Sequence, residues 1–422
     1  MTTNLPRVLT IMGSGETAPT MVKVHRELVS RLDPQRAVLL DTPYGFQENA
    51  PELASRAVEY FHTSVNTEIT PAGLTRFDDA DPMQVQHGLN LVSDANYVFA
   101  GPGSPTYALR QWRGTSIPEL LHTKMRNGGI VTFASAAALT IGCKTVPVYE
   151  IYKCGEEPYW LDGLNLLGDL GIPAAVIPHY NNAEGGHHDT RFCYLGERRL
   201  VMLESELASH EYVLGIDEHT GLVIDFDAGS AAVVGNGTVT LRVDGSSRIF
   251  STGEVLPITL LQDPRDGDSS VPAPATAEKK TNVSTDPAVD SVASLRTAAE
   301  LRKAEFDAAL ASGDAGAATR AVLELEADIK KWSADTLTGT DGDFARDTFR
   351  GMILKLGEAA TSGLVDPRNV VAPYVEAILE IRRVVRAEKR YDLSDIIRDA
   401  LAGAKVEVRD TPNGVEWVLQ VS

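Results

Sequence analysis

The sequence predicts an α/β protein, with a mostly parallel, doubly wound sheet first and a mainly helical domain with a C-terminal β-hairpin after it. Three observations carry this. Short β-branched apolar runs alternate with helical periodicity from about residue 5 to residue 262, the succession that builds a parallel sheet. From residue 263 the composition shifts to Pro, Ala, Ser, Thr, Asp and Lys with almost no large apolar side chain, the signature of a disordered linker. Beyond it, apolar residues recur at helical spacing. The domains are therefore drawn at residues 1–262 and 292–422, with a linker at 263–291.

In chain order, residues 7–12 form a first strand that closes in Gly13-Ser14-Gly15-Glu16, and residues 22–32 carry the spacing of a helix. This glycine turn lacks the full dinucleotide fingerprint, so it reads as a tight turn and no cofactor is expected. Residues 37–40 are the next strand and 51–61 an amphipathic helix. Residues 97–100 end in the rigid loop Gly101-Pro102-Gly103-Ser104-Pro105, with a helix over 107–112. Strands follow at 130–133, at 174–178 before His179-Tyr180-Asn181-Asn182, and at 213–218, which ends in Asp217-Glu218. Residues 233–243 alternate around Gly235-Asn236-Gly237, which predicts a hairpin closing the sheet edge. In the second domain, helices are expected at 292–311, 315–332, 343–360, 372–389 and 393–401, then a small hairpin from Val406 to Leu419.

Composition narrows the class. The 422 residues include 43% hydrophobic ones, enough for a sizeable core, and the formal charge of −19 repels polyanions unless a local basic face meets them. Three cysteines, Cys143, Cys154 and Cys193, have no metal-ligand spacing and read as free thiols of a cytoplasmic protein. No apolar stretch approaches the length that spans a bilayer, so no membrane partner is expected. His187 and His188 beside Asp189 do not complete a ligand cluster, and no metal is expected.

The first half is organised around Gly129-Ile130-Val131-Thr132-Phe133-Ala134-Ser135-Ala136, where a buried-type strand turns at once into a helix. Ser135 falls on that turn, the place where a hydroxyl is exposed above a sheet edge, although a serine among alanines also reads as a small packing residue. Acyl transfer needs a nucleophile, a base, an acid that orients the base, and donors for the oxyanion. Ser135 would attack and His179 would take its proton. The N–H groups of Ala136 and Gly103 would hold the oxyanion. Either Glu218, at a strand end on the same sheet edge, or Glu150, after the elbow helix, would orient His179.

These pieces together resemble the class I glutamine-amidotransferase-like fold and, within it, the S51 serine peptidases, dipeptidase E and cyanophycinase. The motifs are Gly101-Pro102-Gly103-Ser104 after a central strand, the elbow Ser135-Ala136, Pro178-His179-Tyr180 and Gly215-Ile216-Asp217-Glu218, across most of residues 5–245. The resemblance implies a hydrolase of a small peptide or amide acting through Ser135 and His179, with Glu218 or Glu150 as the acid. The chain departs from the family elbow Gly-x-Ser-Ala-Gly, with Phe133 and Ala137 where glycines stand. Phe133 is expected to crowd the turn. The family's arginines soon after the histidine are also missing, the first here being Arg191, so aspartyl specificity is not implied.

In the second domain Arg382, Arg386 and Arg390 lie about a helical turn apart and form a basic stripe. Asp395-Ile396-Ile397-Arg398-Asp399-Ala400-Leu401, followed by Val406 to Trp417, resembles the C-terminal domain of cysteinyl-tRNA synthetases. That resemblance implies tRNA as a partner, contacted through Arg382, Arg383, Arg386, Arg390, Arg398 and the hairpin from Asp410 to Trp417. The HIGH and KMSKS signatures of the synthetase are absent, so no tRNA charging is expected. A serine hydrolase of amides, peptides or esters with an appended tRNA-recognition domain is the function expected. A catalytically inactive tRNA-binding or regulatory protein is the alternative, and a homo-oligomer is compatible with both.

Overall fold

The computed structural model describes residues 5–183, 188–265, 294–332, 340–362, 367–411 and 414–420. Most of the expected linker, from residue 266 on, and His187 lie outside these residues. Packing divides the chain into two compact units, Met1–Thr297 with Asp328–Asp343, and Ala298–Ala327 with Phe344–Ser422.

The first unit opens with β1 (Arg7–Met12), α1 (Val22–Val29), β2 (Ala37–Leu39), α2 (Ala50–Tyr60), β3 (Ile69–Pro71) and α3 (Pro82–Asp94). It continues with β4 (Tyr97–Ala100), α4 (Pro105–Trp112), α5 (Ile117–Asn127), β5 (Gly129–Ala134) and α6 (Ser135–Thr140). A two-residue pair, β6 (Lys144–Thr145) and β7 (Leu161–Asp162), flanks α7 (Val148–Tyr152). Then come β8 (Ala174–Ile177), α8 (Gly196–Glu204), β9 (Tyr212–Ile216), β10 (Thr220–Asp225), β11 (Ser230–Gly235), β12 (Thr238–Val243), β13 (Ser246–Ser251), β14 (Val255–Pro257) and α9 (Ile258–Gln262).

Among the described residues these strands form an eight-stranded sheet in the order β14-β11-β10-β1-β5-β4-β2-β3 and a four-stranded sheet in the order β13-β12-β9-β8. The run from β1 to β3 is parallel, as its helix crossovers require, whereas β10, β11 and β14 add antiparallel strands. β5 is buried along its whole length, which explains its continuous apolar run. Val131 and Phe133 face one hydrophobic cluster with Leu9, Ile11 and Trp112, and Ile130 and Ala134 face the other with Val8, Met12 and Phe99.

Two expectations are corrected here. His179 and Glu218 follow β8 and β9 of the smaller sheet, not strands of the sheet that carries Ser135. The Gly235-Asn236-Gly237 turn does not close a hairpin, because β11 pairs with β10 and β14 while β12 pairs with β9 and β13. The turn hands the chain from one sheet to the other. Its Asn236 N–H donates to the His219 carbonyl and its Gly237 N–H to Thr220 Oγ1, so its polar groups are spent on the link between β9 and β10. Gly13 brings the sheets together, since a Cβ there would lie 2.0 Å from the Asp217 carbonyl oxygen.

The second unit takes most of α10 (Leu295–Ala311), α11 (Ala315–Trp332) and α12 (Thr340–Ser362), then α13 (Pro367–Ala387), α14 (Tyr391–Gly403) and the antiparallel pair β15 (Val406–Thr411) and β16 (Gly414–Leu419). Val375, Leu401, Val406 and Trp417 make its small core, where one face of α13 meets α14 and the strand pair. Among the described residues no helix is long and apolar enough to cross a membrane.

Candidate active site

β5 runs into α6 with no loop between them, and the junction forces Ser135 to a φ of +50°. That left-handed conformation costs a non-glycine residue roughly 1–2 kcal/mol, and it lifts the side chain off the strand line. Phe133 does not obstruct the turn. Its ring is buried in the core, 5.7 Å from the Trp112 ring, in the same cluster as Val131 and Ala137, so the core and not the turn takes up its bulk. The loop after β4 braces the elbow, with the Gly101 carbonyl accepting the Ala137 N–H at 3.2 Å. Gly103 takes a φ of +141°, and a Cβ on it would stand 2.0 Å from the Pro43 carbonyl oxygen. Ser104 ends the loop by accepting the Tyr107 N–H at the start of α4. Ala136, second in α6, has no intrahelical acceptor for its N–H.

His179 sits two residues beyond β8 at a φ of +48° and is 8% exposed. Its carbonyl accepts the N–H groups of Asn182 and Cys193. Cys193 belongs to a left-handed run from Phe192 to Tyr194, so a second strained segment backs the first. The ring bridges the two sheets: Nε2 is 3.0 Å from Ser135 Oγ, and Nδ1 is 3.0 Å from Glu218 Oε1. A carboxylate only accepts hydrogen bonds, so Nδ1 carries the hydrogen and Nε2 is left to receive the serine proton.

Glu218 is fixed by two neighbouring asparagines. Asn182 Nδ2 donates to Oε1 at 3.2 Å, and the Glu218 N–H donates to Asn181 Oδ1 at 2.8 Å. Burial pushes the Glu218 carboxyl up, but the bonds from His179 and Asn182 and the neighbouring His219 outweigh it and hold the group below the usual glutamate range. Asp217 points away, accepting from the Thr238 N–H and hydroxyl, and burial raises it. Glu150 is not on the imidazole; its Oε2 accepts from Thr106 Oγ1 at 3.0 Å. Of the two acids considered for orienting His179, Glu218 holds that place in the geometry.

Ser135, His179 and Glu218 thus form a hydrogen-bonded relay with the order of partners that activates a hydroxyl. Sequence reasoning passed over Asn181 and Asn182, although two carboxamides directly after a candidate base are a usable signal for a clamp on its acid. It also passed over Glu16, buried beside this site. Arg191 pairs with the Asp189 carboxylate through two nitrogens and is committed there. Among the described residues no group of three or more His, Cys, Asp or Glu side chains is placed to hold a metal.

The basic stripe of α13 is only partly a surface. Arg382 is 1% exposed and makes a bidentate pair with Asp410 at 2.8 and 3.0 Å, and Arg386 joins the same carboxylate at 3.0 Å. Trp417 is buried under Arg368, whose guanidinium lies 5.1 Å from the ring centre. Arg382, Asp410 and Trp417 therefore hold the hairpin on α13, with Arg382 and Trp417 buried and Asp410 half-exposed. Arg383, Arg386, Arg390 and Arg398 are exposed.

No family model matches the chain. Its similarities are partial and of two kinds. The crystal structure of a peptidase from an acI-B1 Actinobacterium has a TM-score of 0.49 to this chain at 20% identity, covering 60% of this chain and 98% of that one. A peptidase E protein from Listeria monocytogenes EGD-e gives a TM-score of 0.36 at 14% identity, over 55% of this chain and 98% of that one. Among sequences, the cysteine–tRNA ligase of Petrotoga mobilis is 34% identical over 99 residues, 23% of this chain and 21% of that protein. The cysteine–tRNA ligase of Carboxydothermus hydrogenoformans is 45% identical over 47 residues, 11% of this chain and 10% of that protein. The chain spans about a fifth or less of the length of these curated relatives.

Proposed function

We propose that the first unit is a serine hydrolase that cleaves an amide, peptide or ester bond. The observation that carries this is the continuous relay from Ser135 Oγ through His179 to Glu218, with both hydrogen bonds at 3.0 Å. In the reaction His179 Nε2 takes the hydroxyl proton as Ser135 attacks the carbonyl carbon. Glu218 stabilises the imidazolium that forms. The N–H groups of Ala136 and Gly103 receive the oxyanion. His179 then returns the proton to the leaving amine or alcohol, and water releases the acyl group by the reverse sequence. With p-nitrophenyl acetate, wild-type protein gives a burst of p-nitrophenol in proportion to enzyme, and Ser135→Ala gives none. A wild type with no burst and no turnover on any ester or amide tried counts against the reading.

The stretches shared with cysteine–tRNA ligases support tRNA as the macromolecular partner, met through exposed Arg383, Arg386, Arg390 and Arg398. A gel shift with tRNA that weakens as salt rises, and weakens further in the fourfold alanine variant, tests it. A tRNA that does not shift at low salt contradicts it.

A further inference from the structure

The turn after β1 carries a group that the proposed reaction does not use. Glu16 is 1% exposed, and neither of its carboxyl oxygens has a hydrogen-bond partner among the described residues. Leaving a buried polar group unpaired is costly, so a fold that tolerates one invites a functional explanation. Its backbone is held firmly. The Glu16 carbonyl accepts from His25 Nε2 at 2.7 Å, and His25 Nδ1 lies 2.8 Å from the Tyr97 hydroxyl. A carbonyl accepts only, so Nε2 carries the hydrogen and Nδ1 accepts from the tyrosine. Burial lowers the imidazole to about 4, which keeps it neutral in this arrangement.

The carboxyl lies against the loop that would supply an oxyanion donor. A Cβ on Gly101 would stand 3.1 Å from Glu16 Oε1, and the Gly101 carbonyl is the acceptor that braces the elbow through Ala137. We propose that Glu16 is a positioning residue of the Ser135 site, which acts on the oxyanion donors and on His179 from behind the Gly101 turn. The inference rests on the serine-hydrolase reading.

Glu16 works as a neutral acid. Burial dominates and raises it well above the ordinary carboxylate range, while its own backbone N–H and a charged His179 pull the other way. An anion there would oppose the negative charge that develops on the substrate oxygen. Two like charges roughly 10 Å apart in an effective dielectric of about 20 repel enough to slow a step roughly tenfold. The groups around this turn give such an anion little relief. His25 on α1 is spent on the backbone and neutral, and His219 lies over Gly15 with its imidazole lowered by burial. On the far side of the loop Asp41 is bound to the N–H groups of Gly73 and Leu74, and Tyr44 is raised by burial. Besides the Glu16 backbone N–H, a charged His179 favours ionisation of Glu16, and it carries that charge during the step that builds the oxyanion.

The test is the rate of labelling by a fluorophosphonate probe against pH, for wild type and Glu16→Gln. The shape of the profile is the readout, not its height. The proposal expects the wild-type rate to fall at least about tenfold on the alkaline side, and the fall to disappear in Glu16→Gln. A limb with the same midpoint in both proteins, or no limb in either, overturns the role of Glu16 and leaves the active serine standing. A wild type that takes no label at any pH overturns both. If Glu16→Gln does not fold, Glu16→Asp replaces it. The shortened carboxyl must then move the midpoint of the limb, and an unmoved midpoint overturns the proposal.

Discussion

Glu218 Oε1 stands 3.0 Å from His179 Nδ1, and that contact joins the ends of neighbouring parallel strands 39 residues apart. It makes Glu218 the acid that selects the imidazole tautomer. Replacing Glu218 by Gln keeps the shape but offers an amide where an anion stood, and the labelling rate of Ser135 should fall roughly 10²- to 10⁴-fold. Glu150→Gln, which disturbs only the bond from Thr106, should stay within about threefold of wild type by the same reasoning. A larger loss in Glu150→Gln than in Glu218→Gln would reverse the assignment.

The strain at Ser135 predicts a trade between stability and chemistry. At a φ of +50° glycine is at ease and alanine is not. Ser135→Gly should therefore be more stable than Ser135→Ala by about 1 kcal/mol in denaturant unfolding, and both should lack labelling. Equal stability would mean that the elbow relaxes once the hydroxyl is gone.

Glu218 also links the site to acid stability. Its folded pKa is depressed, so its contribution is complete above the unfolded value of about 4.3 and is lost as pH falls through the lower folded value. The stability difference between wild type and Glu218→Gln should be level above about pH 5 and shrink below about pH 4. A difference that grows on acidification would contradict the depressed value. Thermal unfolding across pH 3 to 7 measures it.

In the second unit, Arg382 and Arg383 are neighbours in sequence with opposite fates. Arg382 is buried on Asp410, whereas Arg383 is exposed and pairs with Glu380 one turn back. Arg382→Met leaves a half-exposed Asp410 with Arg386 alone and should lower unfolding stability by about 1–3 kcal/mol. Arg383→Ala should leave stability unchanged within error. Comparable losses in both would mean that the Asp410 pair does not hold the hairpin.

Much of this was legible in the sequence. Strand–helix alternation, the Ser135 junction and the polar strand ends at His179 and Glu218 are local patterns, and they correspond to the parallel run from β1 to β3 and to the side chains that meet in the Ser135–His179–Glu218 hydrogen bonds. The division of the strands between two sheets was not legible, because pairing depends on which strands meet across long crossovers, and an Asn-Gly turn serves a sheet-to-sheet transfer as well as a hairpin. Helical spacing placed Arg382 on a stripe, yet it does not say which side of that stripe the hairpin covers. The burial of Glu16 was hidden for a similar reason, since a glycine-flanked acid in a turn looks solvated until the Gly101 loop closes over it.

Fluorophosphonate labelling of purified protein, with Ser135→Ala and His179→Ala beside wild type, tests the central claim most directly. The account predicts that wild type is labelled at Ser135 and that labelling falls by about 10³-fold or more in His179→Ala and is absent in Ser135→Ala. Label on another residue, or label that survives in His179→Ala at the wild-type rate, would contradict a serine activated by the relay to Glu218.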